Sequence, residues 1–135
     1  MTEELQEQKD LVEDLLGRLA DPKERVREMA AEALAVSTGD EDWRPDDLIL
    51  GDGIDTILGL LGERNVHIVG AALTVLTAIA SVGEGEALVE RGAIAALDGM
   101  RDHRDPGIRE KVREVLWLLS PEVEDVVTSK PQDEY

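Results

Sequence analysis

Cysteine and phenylalanine are absent from this chain, and it holds only one tyrosine and two tryptophans. Without cysteine there is no disulfide, no thiolate metal site and no cysteine nucleophile. Without aromatic bulk the core has to be built from Leu, Ile, Val and Ala, side chains that suit helix packed on helix. Lysine is scarce as well, at four of the 14 basic residues, and 31 acidic residues bring the net charge to −17. Such a balance keeps a chain soluble while self-repulsion opposes its compaction. It excludes general nucleic-acid binding, in which phosphate neutralisation supplies most of the affinity.

Long hydrophobic runs are missing too, with one partial exception. Ile68 to Gly83 carries no charge, yet it is too short and too rich in Ala, Gly and Thr to cross a bilayer. The acidic start, Met1-Thr-Glu-Glu-Leu, is unlike a secretory leader. These features point to a soluble cytoplasmic protein without a membrane partner. Acidity combined with Arg over Lys is also similar to the composition of proteins from salt-loving organisms; an ordinary acidic cytosolic protein is the plainer reading. At 135 residues the chain makes one domain, burying about two thirds of its unfolded surface.

Apolar spacing predicts helices throughout. Leu5, Val12, Leu15, Leu16 and Leu19 mark a first helix from Thr2 to Ala20. Asp21-Pro22 caps and opens a second, running to Ser37. Residues 38–47 are a polar loop. A short apolar turn at Leu48–Leu50 follows, then a helix over Ile54–Leu61, a turn at 62–65 and the uncharged helix. After Gly83-Glu-Gly85 the order recurs: a short turn at Ala87–Val89, a helix over Ala93–Met100, a turn at 102–105 and a helix to Ser120. Pro121 ends it, and residues 121–135 are read as one turn at Val123–Val127 and a flexible tail.

Placing Ser81 on Ser120 sets a repeat of 39 residues, pairing Gly53 with Gly92, Leu58 with Leu97, Val69 with Ile108 and Leu73 with Val112. A period near 40 built of helix pairs is the mark of a solenoid, with repeats near 2–37, 46–82 and 84–120 in one domain of residues 1–120. Asp21-Pro22 through Leu34 resembles the second helix of a HEAT repeat, and Gly92 to Leu97 with the turn before it resembles the first helices of an armadillo repeat. The resemblance implies an all-α, short right-handed α-solenoid of about three HEAT/armadillo-like repeats that binds other macromolecules on its concave face. Trp117-Leu-Leu-Ser-Pro121 is similar to the Trp-Ala-Leu-Ser-Asn motif of peptide-binding armadillo proteins. The Asn of that motif, which grips a partner's backbone, is replaced by Thr38, Val82 and Pro121 when matched on the Ser.

No catalytic constellation is present, so the chain is expected not to be an enzyme and to need no cofactor. Ser37, Ser81 and Ser120 stand at helix ends, with no His and acid arranged beside them. His67 and His103 fall at turns on one edge of the array, with Asp102 and Asp105 as the nearest acids, and they read as solvated turn residues rather than a metal site. The acidic loop around Trp43 lacks calcium-loop spacing, and Trp43 is expected to pack over the first helix pair.

Arg109, Arg113 and Trp117 lie at spacing four beside the core stripe of the last helix, with Thr74 and Arg27 among their counterparts. Arg and Trp dominate binding hot spots. These five residues are the expected partner-binding set, for a protein or peptide with an acidic segment. The competing reading is that Trp117 roofs the last helix pair while the arginines pair with nearby acids. A monomer is expected. The rival functions are a self-associating scaffold, using Leu5–Leu19 or Val123–Val127, and an accessory subunit akin to HEAT-like lyases.

Overall fold

The computed structural model describes residues 2–41 and 43–119. All regular structure among them is helical: α1 (Thr2–Arg18), α2 (Glu24–Ser37), α3 (Asp46–Leu50), α4 (Gly53–Leu60), α5 (Val66–Ile79), α6 (Gly85–Glu90), α7 (Ala93–Asp98) and α8 (Pro106–Leu119). The order reads as one helix pair followed by two triplets. Helix α5 packs between α2 and α8, and these three form one layer. Helices α3–α4 and α6–α7 pack against their own long helix from the other side. The result is a short α-solenoid, with a continuous aliphatic core running through all the units.

The middle of the stack explains the uncharged run. Eight of the 14 residues of α5 are buried, among them Ile68, Leu73, Leu76 and Ile79. Its neighbours have only one covered side and can carry charge on the other. A π-type turn at Ala80–Glu84 joins α5 to α6, so one helical stretch extends from Val66 to Glu90. By length and composition alone that stretch is apolar enough to cross a membrane, but a kink divides it into α5 and α6. Gly83 breaks it, with φ at 94°, and packing between α2 and α8 accounts for its apolar character.

Helix starts show where the sequence expectation slipped. Asp105 accepts the Ile108 N–H with Pro106 as the first helical residue, as the Asp-Pro rule predicts. Asp21-Pro22 does not repeat this arrangement. Asp21 instead accepts the Lys23 N–H at 2.8 Å, Lys23 takes the cap position, and α2 begins at Glu24. The middle helix is capped by Asn65, whose side chain accepts from His67 and Ile68 N–H.

These caps reset the repeat register. Asn65 and Asp105 are 40 residues apart, and α2, α5 and α8 each have 14 residues. At a spacing of 40, buried residues meet buried residues: Ile68 and Ile108, Ala72 and Val112, Leu76 and Leu116, Ile79 and Leu119, Leu48 and Leu88, Ile57 and Leu97. The spacing of 39 inferred from Ser81 and Ser120 keeps the buried pairs Val69 with Ile108 and Leu73 with Val112, but it sets buried Ile79 against half-buried Leu118 and buried Ile68 against exposed Gly107. A helix-end serine is a weak anchor because the helix stop does not set which face is covered. Ser120 and the expected turn at Val123–Val127 lie outside the described residues. Trp43 packs against the core, as expected for the loop over the first helix pair.

Candidate binding face

On α5 the accessible positions are Val66, His67, Gly70, Thr74, Thr77 and Ala78, with Ser81 just beyond. They recur at three and four residues and so form one stripe. The corrected register extends it across the layer. Glu28 and Glu32 on α2 hold the repeat positions of Gly70 and Thr74, and Glu110 and Glu114 hold the same positions on α8. Ala35, Thr77 and Trp117 form the next row. All of these residues are exposed or half-buried. The two α2 acids reach the start of α5, where ligating atoms of Glu28, Glu32 and His67 all lie within 4.8 Å of one another.

The five expected binding residues separate into two pairs and a single residue. Thr74 and Trp117 are on the stripe. The Thr74 hydroxyl donates to the Gly70 carbonyl at 3.0 Å, leaving its methyl and oxygen lone pairs at the surface. Trp117 is 60% exposed.

Arg27 and Arg109 serve their own units. The Arg27 guanidinium donates to the carbonyls of Asp21 and Pro22, and to Glu63 at 2.8 and 3.1 Å. The bond to Glu63 pushes the Arg27 pKa up, partial burial pushes it back, and the charges of Glu63, Glu24 and Asp21 add to the rise. Arg109 repeats the local half of this clasp, donating to the carbonyls of His103 and Arg104. Each arginine thus ties down the turn that precedes its helix. Arg113 occupies the position of Ala31 and Leu73, which are buried in their units. No described helix follows α8, so Arg113 is exposed there, with no ion pair among the described residues.

Sequence spacing missed the acidic members of the stripe. Acids are too abundant in this chain for any pair to stand out, and the one-residue register error placed Arg113 where Glu114 belongs. The polar caps at Asn65 and Asp105 carried the signal that would have found them.

The chain superposes on the crystal structure of an engineered protein from a structural genomics consortium with a TM-score of 0.73 and 22% identity, covering 82% of this chain and 45% of that one. It is also similar to a designed armadillo repeat protein solved in complex with the peptide (KR)4, with a TM-score of 0.72 and 21% identity, covering 80% and 46%. The fold is an armadillo/HEAT-like helical repeat. This repeat chain spans less than half the length of both structures. No protein-family model and no curated protein matches the sequence.

Proposed function

We propose that the chain is a non-enzymatic module that binds an extended segment of a protein or peptide across the α2–α5–α8 stripe. The observation that carries this is the exposure of Trp117 in line with Glu28, Glu32, Glu110 and Glu114. Two interaxial steps of about 8–10 Å separate α2 from α8, a span of about five or six extended residues. Carboxylates at both ends suit Lys or Arg side chains. Trp117 adds a cation–π face worth about 0.5–1 kcal/mol at an exposed site. The acidic segment expected from Arg27, Arg109 and Arg113 gives way to a basic one, because two of those arginines clasp their own turns. The designed armadillo protein bound to (KR)4 supports the same choice of partner. No Asn ladder is available to grip the backbone, so recognition here rests on side chains.

Fluorescence anisotropy with a labelled alternating Lys-Arg peptide tests this reading. Glu32→Lys with Glu114→Lys should weaken binding at least tenfold, as should Trp117→Ala. The equal charge change of Glu13→Lys with Glu41→Lys should do much less. Equal losses in both double variants, or tighter binding of an acidic peptide, would sink the proposal.

A second reading has its own support. Val89, Ile94, Leu118 and Leu119 line a groove of about 540 Å³ at the α8 end of the array. The register sets Ile94 opposite fully buried Ile54, so the α8 end exposes what an additional unit would cover. At the other end α1 exposes Leu11, Glu13 and Asp14. End-to-end stacking would bring these against the groove and Arg113. Light scattering at low and high salt distinguishes such stacking from a monomeric module.

A further inference from the structure

We propose that Glu28, Glu32 and His67 form a divalent transition-metal site that clips α2 to α5, with zinc as the fitting ion. Each offers one ligand atom, and the three atoms lie within 4.8 Å of one another. Glu28 and Glu32 are one turn apart on α2, and His67 is the second residue of α5. Like charges at this helical spacing repel. No Lys or Arg among the described residues forms an ion pair with either glutamate. The Asn65 side-chain amide donates to Glu28 at 2.9 Å, holding one carboxylate oxygen and leaving the other for an ion. The same amide reaches Glu24 at 2.8 Å, so the α5 cap and the α2 acids are already joined before any metal enters.

The donor set chooses the ion. Imidazole with carboxylates suits zinc, whereas calcium and magnesium take oxygen ligands alone. Zinc bonds of about 2.0–2.2 Å require donor separations near ~3.3 Å, within reach of small rotations of these surface side chains. Three protein ligands leave a fourth position for water or a partner's side chain. Sequence spacing alone gives both His67 and His103 as solvated turn residues rather than metal ligands. In the fold, His103 Nδ1 accepts the Asp105 N–H at 3.0 Å, and that histidine serves its turn.

Metal-stripped protein titrated with zinc chloride, followed by calorimetry and thermal unfolding, tests the site without any peptide. The expected result is one zinc per chain and a raised Tm, with cobalt giving the visible bands of a low-coordinate nitrogen–oxygen site. His67→Gln and Glu32→Gln should each weaken zinc at least tenfold, and His103→Gln should leave it unchanged. Zinc affinity unaltered by His67→Gln would overturn the proposal, as would magnesium binding equal to zinc. Glu28 and Glu32 belong to both readings, so the variants that separate them are Trp117→Ala, which should weaken peptide and leave zinc unchanged, and His67→Gln, which should weaken zinc and leave Trp117 in place.

Discussion

Replacing Gly53 by alanine should destabilise this protein, although glycine at a helical position ordinarily costs stability. Gly53 is buried as the first residue of α4. A Cβ there would lie 2.9 Å from Leu48 Cα, Cδ2 and carbonyl oxygen. Two of those atoms belong to backbone, so α3 would have to move away from α4. Overpacking a filled site costs about 1–3 kcal/mol. Removing a glycine returns at most about 1 kcal/mol, and less in a first turn. The net expectation is a loss of about 1–2 kcal/mol, from a total of about 5–15. Gly59 in the same helix is the control, since nothing lies within 4 Å of its would-be Cβ. Gly59→Ala should gain about 0.5–1 kcal/mol. Urea unfolding followed by far-ultraviolet circular dichroism should move the two midpoints in opposite directions at equal m-values. A Gly53→Ala midpoint at or above that of the parent would refute the close α3–α4 approach. It would also remove the reason why the third unit carries a buried Ala93 at the corresponding position while the second requires glycine.

Gly92→Ala should cost about 1–2 kcal/mol by a different route, because Gly92 caps α7 with φ at 88° in the left-handed region; the same urea assay checks it, and an unchanged midpoint would contradict that backbone conformation. Raising potassium chloride from about 0.05 to about 1 M should raise Tm, since salt screens the self-repulsion of a chain with net charge −17. A falling Tm in differential scanning calorimetry would show that the surface ion pairs outweigh that repulsion.

Much of the architecture was legible in the sequence. The charge-free helix between charged neighbours announced a covered middle and open flanks, and α5 between α2 and α8 is that arrangement. The order and approximate ends of the other six helices followed from apolar spacing and from glycine and proline punctuation, whereas α3 and α6 stand where short turns were expected. The candidate face was less legible. Trp117 and Thr74 could be placed on it because their helical spacing from the core stripe was clear. Glu28, Glu32 and His67 could not be brought together, since they lie on different helices and only packing across units joins them. Arg27 and Arg109 looked like surface charges until their hydrogen bonds to turn carbonyls were seen.

Composition and period alone therefore determined an all-helical stack with an aliphatic core and an acidic surface. Those properties are sums and spacings along the chain, and local physics is enough to read them. The tertiary structure decided the register of the units, which arginines were engaged and which acids faced His67. A shift of one residue turns a helix by about 100°, so the face a side chain presents is settled only when neighbouring helices lock against each other.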